Sequence, residues 1–202
     1  MAHNLAQARN FLGPLACIIH AVGEQAVISL GSNIEPERYL PEAVGRLHAL
    51  GHVLAVSAAY RNPAVGPEGQ PDFVNAALLL ETDHPPKELQ RALRQIETRL
   101  GRRRSPDKYA PRVIDLDLVL YGPHVVEEGS LRLPDPDLLE RAYLAALVAE
   151  VAPAMRHPIT GERMAALAER LAGSARLRID DDLTAQLRAR AAAPQADDEA
   201  PG

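Results

Sequence analysis

The sequence predicts an α+β fold, and three observations carry the prediction. Four stretches have strand composition, two amphipathic helical patterns lie between them, and the six follow one another as β-α-β-β-α-β. That order is the split βαβ arrangement termed ferredoxin-like, an antiparallel sheet with both helices on one face and the other face free to hold a site. Further helices are expected C-terminal to it.

The first strand is read in "QAVISL", 25–30, ending at "GSN", a turn with capping residues. A helix follows over 37–50, where Ala43, Val44, Leu47 and Leu50 make one apolar face and Gly51 closes it. "HVLAVSAAY", 52–60, has β-branched and apolar content for the second strand, and the proline- and glycine-rich "RNPAVGPEGQPD", 61–72, must be a loop. "FVNAALLLET", 73–82, is the third strand. The second helix spans 85–101, with proline in its first turn, glycine at its end, and Leu89, Leu93, Ile96 and Leu100 on one stripe. "PRVIDLDLVLYG", 111–122, is the fourth strand. Beyond it, 134–153 reads as a helix starting near Asp137 and 160–171 as a shorter one. The expected organisation is an extension over 1–24, a domain over 25–175, and a disordered alanine-rich tail over 180–202.

A chain of 202 residues, 47% of them hydrophobic, buries a good core as one domain. The formal charge of −5 argues against a general nucleic-acid binder, and the absence of Trp argues against a platform for stacking bases. The apolar run "FLGPLACIIHAV", 11–22, is too short to span a membrane and is broken by Pro14 and His20. A single cysteine, Cys17, allows no internal disulfide, in keeping with a reducing cytoplasm. The expected partners are small molecules, and the expected state is a monomer or weak homodimer.

The fourth strand carries the chemistry. Side chains alternate along a strand, so Asp115 and Asp117 share one face while Ile114, Leu116 and Leu118 take the other. Two like charges then stand roughly 7 Å apart on one surface. An edge strand could carry such a pair in solvent, but the flanking Val113, Val119 and Leu120 are those of a central strand. Charges there are paired or bind metal, and two carboxylates with few other ligands suit magnesium brought in by a phosphate substrate. Arg102, Arg103, Arg104, Lys108 and Arg112 immediately precede the pair, a loop suited to an anionic ligand. Together these parts suit transfer of a phosphoryl or diphosphoryl group. Phe73 and Asn75, two apart on one strand face, offer a ring and an amide to a flat heterocycle.

The segments "SLGSN", "RNPAVGPEGQPDFVNAA", "IETRLGRRRSPDKYAPRVIDLDLVLYG" and "LRLPDPDLLERAY" resemble, in order and spacing, the 6-hydroxymethyl-7,8-dihydropterin pyrophosphokinases of folate biosynthesis, over about residues 26–155. The resemblance implies transfer of the β,γ-diphosphate of ATP to the pterin hydroxymethyl group with release of AMP and use of two magnesium ions. It implies that Asp115 and Asp117 hold both ions and that Arg102 and Arg112 orient the triphosphate. Arg104, Lys108 and Tyr109 would close over the nucleotide, with Glu97, Leu118 and Arg141 beside it. Asn75 would bond the pterin, Phe73 and Tyr143 would sandwich it, and Asn62, Pro63 and Val65 would line its pocket.

The chain departs from the family at Tyr109 and Ala110, where Trp and Gly are common, at Asp135, where a histidine is usual, and at Ser130, where an arginine is usual. The last two changes remove nucleotide contacts. Two other readings stand beside the active pyrophosphokinase: a non-catalytic pterin- or nucleotide-binding relative, and a palm-type metal-dependent nucleotidyl transferase.

Overall fold

The structure is a computed structural model that describes residues 23–62, 71–103, 110–174 and 177–193. The expectations for the N-terminal extension and for most of the 61–72 loop lie outside these residues. The chain runs β1 (Glu24–Ser32), α1 (Pro36–Leu47), β2 (His52–Val56), β3 (Ala59–Asn62), β4 (Phe73–Thr82), α2 (Pro86–Arg99), β5 (Asp115–Tyr121), β6 (Val126–Glu128), β7 (Leu131–Leu133), α3 (Ala142–Val151), α4 (Met164–Leu171), β8 (Arg178–Asp180) and α5 (Asp181–Ala192). The main sheet has the order β5-β1-β4-β3-β8, with β2 also on β4, and every pairing is antiparallel.

β1 is central, and its alternation divides the core. Ala26, Ile28 and Leu30 pack with Leu40, Val44 and Leu47 of α1, with Leu89 and Leu93 of α2, and with Leu183 and Leu187 of α5. Val27, on the other face, packs with Ala77, Leu79 and Val119 beneath α3 and α4. The sequence led us to expect a free second face, and the structure corrects this: α3, apolar almost all round, covers much of it and buries Leu144, Ala145, Leu147, Val148 and Val151. That cover thins along β1 where Val27 gives way to Ser29, which is partly exposed.

Three expected elements differ in detail. The strand over 52–60 is two strands, since at Ser57 the side chain takes over the ladder: its Oγ accepts from Ala77 N at 2.9 Å while its own N–H donates to Ala77 O at 2.9 Å. β1 continues through Gly31 and Ser32 where a turn was expected, and α1 is entered through Glu35 in the left-handed region (φ 46°) with no side-chain cap. The helix over 134–153 is broken: a 3-10 turn, Pro136–Leu139, is capped by Asp135, whose side chain accepts from Asp137 N at 2.8 Å, and α3 starts only at Ala142.

The disorder expected over 180–202 is corrected as far as Ala192 by β8 and α5, and residues 194–202 lie outside the described residues. Asp180 caps α5 by accepting from Leu183 N at 3.0 Å, and Leu183 and Leu187, one turn apart, are fully buried. Two leucines in an alanine- and arginine-rich helix are a faint pattern, and packing on α1 and β2 supplies what propensity does not. The β6–β7 hairpin was not anticipated. No helix among the described residues is long and apolar enough to cross a membrane.

Candidate active site

β5 lies beside β1 in a register that sets Asp115 across from Gly31 and Asp117 across from Ser29. Leu116 and Leu118 enter the core on the helical side, so both carboxylates emerge on the uncovered part of the opposite face, as the alternation requires.

The two aspartates have different surroundings. Arg102 donates to one oxygen of Asp115 and Arg112 to the other. Both arginines are themselves held. Glu97, a buried carboxylate 3% exposed at the end of α2, accepts from Arg102 and, at 2.9 Å, from Leu116 N. It thus couples the helix, the strand and the guanidinium. Asn33 brackets the backbone of Arg112, its N–H donating to Arg112 O at 3.1 Å and its Oδ1 accepting from Arg112 N at 2.7 Å. Ser32 Oγ donates to Val113 O at 2.7 Å in the same tie. Burial works against the Arg102 charge, but Asp115 and Glu97 outweigh it and raise the guanidinium pKa.

Asp117 accepts no hydrogen bond from a described residue. Its carboxylate reaches solvent at the floor of a cleft yet has protein on most sides. Desolvation, then the charges of Asp115, Glu97 and Asp135, push its pKa up to about 7, against a smaller lowering by Arg102. Among the described residues no group of three or more His, Cys, Asp or Glu converges as a metal cage. Two hard carboxylates, one of them short of positive charge, fit a cation that keeps water and takes its remaining oxygens from phosphate, as magnesium does.

The cleft holds about 340 Å³. Glu97, Arg102, Asp115, Asp117 and Leu118 line one side. Facing them are Ser130 and Arg132 on the hairpin, and Asp135 and Asp137 at the 3-10 turn. Gln90 and Arg94 also line it and went unread, although with Glu97 they recur along one edge of α2 at helical spacing. Arg94 donates to Ser130 Oγ at 2.7 Å, so the cleft keeps a guanidinium next to that serine. Arg141 is at the rim, its Nε donating to Asp137 Oδ2 at 2.7 Å. The half-buried Tyr143 packs against the core beneath α3 and α4, and burial raises its hydroxyl pKa, with Arg141 lowering it and Asp137 and Asp117 raising it further.

Across the sheet from Asp115, beyond Gly31, lies Asn75, and beyond it Tyr60. Two strand spacings separate Asp115 from Asn75, roughly 10 Å. Asn75 Nδ2 donates to Asn62 Oδ1 at 2.6 Å, and Phe73 is paired with Asn62 in the ladder. Gly31 keeps the ground between them clear, since a Cβ there would lie 3.0 Å from Asn75 Oδ1 and 3.9 Å from Asp115 Cβ. One end of the face is therefore ionic and the other is made of amides and a ring. Pro63, Val65, Arg104, Lys108 and Tyr109 lie outside the described residues.

Residues 27–153 match the family described as 7,8-dihydro-6-hydroxymethylpterin-pyrophosphokinase. The chain is 35% identical over 151 residues to the 2-amino-4-hydroxy-6-hydroxymethyldihydropteridine pyrophosphokinase of Synechocystis, covering 72% of this chain and 75% of that one. It is 40% identical over 129 residues to the Bacillus subtilis enzyme of the same name, covering 62% and 77%. Its fold is similar to a crystal structure of Plasmodium falciparum HPPK-DHPS with pteroate, at a TM-score of 0.59 and 10% identity over 73% of this chain. The chain spans 44% of that protein, less than half its length. The matched span contains both aspartates, both described arginines and the paired amides, and the chain belongs to the 7,8-dihydro-6-hydroxymethylpterin-pyrophosphokinase family.

Proposed function

We propose that this protein transfers the diphosphate of ATP to the hydroxymethyl group of 6-hydroxymethyl-7,8-dihydropterin, giving the pterin diphosphate and AMP in folate biosynthesis. The observation that carries this reading is an arginine-buttressed aspartate pair two strands from a pair of amides on one face, inside the span that matches the family.

The cleft end takes the triphosphate. Arg102 and Arg112 grip its oxygens, and Glu97 and Asn33 fix where those arginines can reach. Two magnesium ions, held by Asp115 and Asp117, would neutralise charge on the phosphates when bound. By family resemblance Arg104, Lys108 and Tyr109 would close over the nucleotide, with Leu118 and Arg141 beside it. The amide end takes the pterin: Asn75 bonds its edge and Phe73 and Tyr143 lie against its ring, and by the same resemblance Asn62, Pro63 and Val65 would line the pocket. Gly31 leaves room for the hydroxymethyl arm to reach toward Asp115. The hydroxymethyl oxygen attacks the β-phosphorus, the bond from that phosphorus to the α-phosphate oxygen breaks, and AMP departs. Positioning and charge do most of this work.

In the same reading the sheet is ferredoxin-like. Taking β2 and β3 as halves of one strand puts the four strands in the order fourth, first, third, second, and this supports the assignment. A single cysteine among 202 residues supports a reducing, cytoplasmic setting. Product analysis with ATP and magnesium, with and without the pterin, tests the reaction. AMP should form only when the pterin is present; ADP, or AMP regardless of pterin, would overturn it.

A further inference from the structure

β3 is short, and in the plain four-stranded arrangement it would be the bare edge of the sheet. It pairs with β4 through Tyr60↔Asn75, Arg61↔Val74 and Asn62↔Phe73 alone. Its last residue, Asn62, accepts the hydrogen bond that orients Asn75. A three-residue ladder at a sheet edge frays easily. Here the outer edge is occupied by β8, which pairs with Ala59, Tyr60 and Arg61.

We propose that residues 178–184 are a clamp that positions Asn62, and through it Asn75, for the pterin. This rests on the reading of Asn75 as the pterin-binding amide. The clamp grips β3 at successive residues. Thr184 Oγ accepts from Ala59 N at 2.9 Å while donating to Asp180 O at 2.7 Å, and the first of these bonds is buried. Asp180 Oδ2 accepts from Arg61 Nε at 2.8 Å and its Oδ1 caps α5, while Arg61 also reaches Glu37 on α1. The residue next in line is Asn62. Behind the clamp α5 is seated firmly: Leu183 and Leu187 are fully buried, His48 Nε2 lies 3.2 Å from Arg190 O, and Arg190 crosses α1 at Gly45 so closely that a Cβ there would be 2.4 Å from its Nε. The clamp residues lie beyond the span 27–153 that matches the family, so the device is attached to the common domain from outside it.

Thr184→Val removes the bond to Ala59 N at nearly constant shape, and Asp180→Asn keeps a capping side chain while weakening the hold on Arg61. Both are compared with Thr184→Ser, and with Leu89→Ala in α2 as a variant that loses stability elsewhere. The pterin KM should rise about fivefold or more in both clamp variants, the size of one neutral hydrogen bond, with the ATP KM unchanged and Thr184→Ser near the parent value. An unchanged pterin KM in both variants, or an equal rise in Leu89→Ala at the same loss in Tm, overturns the clamp. Asn75→Ala is measured alongside. If it raises the pterin KM and the clamp variants do not, the clamp alone fails; if it too leaves the pterin KM unchanged, the pterin reading fails and the clamp with it.

Discussion

Replacing Asp117 by asparagine should stabilise the protein in the absence of divalent metal while abolishing its turnover. The carboxylate shares a face with Asp115, sits near Glu97 and Asp135, and accepts no hydrogen bond from a described residue. Its pKa is pushed up to about 7 from an ordinary 3.8. The sign follows from where each state ionises. The unfolded carboxyl loses its proton near pH 4 and the folded one only near pH 7, so ionisation favours the unfolded chain over that interval. The protein therefore loses stability as pH rises from about 4 to about 7, and above that the loss is complete. A shift of about three units corresponds to at most about 4 kcal/mol, and because Asp117 reaches solvent in an open cleft, screening reduces this to about 1 kcal/mol. For a chain of this size that is a rise in Tm of about 2–4 °C for Asp117→Asn near pH 8, and less than half of that near pH 5. Thermal unfolding with a chelator present reads it, with AMP formation measured on the same samples. A Tm that falls near pH 8, or a gain of equal size at both pH values, would refute the claim that Asp117 is held against its electrostatic preference for want of a cation.

Glu97→Ala should lower Tm by about 5–10 °C, because Leu116 N and Arg102 lose a buried acceptor worth about 2–4 kcal/mol; Glu97→Gln, which still accepts, should lose less. Gly31→Ala should raise the pterin KM about tenfold with the ATP KM unchanged, since its Cβ would press on Asn75 Oδ1, and an unaltered pterin KM in steady-state assays would count against the amide end as the pterin site. Arg94→Ala should raise the ATP KM by about tenfold or more, one charge-assisted hydrogen bond, and an ATP KM equal to the parent's would remove Arg94 from the nucleotide cleft. Arg112→Ala should depress the single-turnover rate more than it weakens ATP binding; loss of binding alone would make it a docking residue.

Periodicity carried much of the fold. β4 has the bounds expected for it, and α1 and α2 bury the stripes read from the sequence, because each is an element whose apolar period agrees with its place in the core. The paired aspartates could be placed on one face by alternation alone. What periodicity does not encode are contacts made by single side chains. The break in the second strand depends on Ser57 Oγ replacing a backbone partner, and the break before α3 depends on Asp135 capping a separate turn. β8 and α5 were missed because a three-residue strand has no pattern of its own and α5 offers only Leu183 and Leu187 as apolar anchors. In the cleft, Arg102 was legible beside the aspartate motif and Glu97 and Leu118 only through the family resemblance, whereas Gln90 and Arg94 belong to a helix edge that reads as ordinary solvated surface until the hairpin is folded over it.

The central claim is diphosphoryl transfer, and the most direct test follows the label. ATP radiolabelled at the β-phosphorus is mixed with the protein, magnesium and 6-hydroxymethyl-7,8-dihydropterin, and the products are separated. The label should leave with the pterin as its diphosphate while unlabelled AMP accumulates in equal amount. Label retained in ADP, or released as free diphosphate with the pterin unchanged, would contradict it.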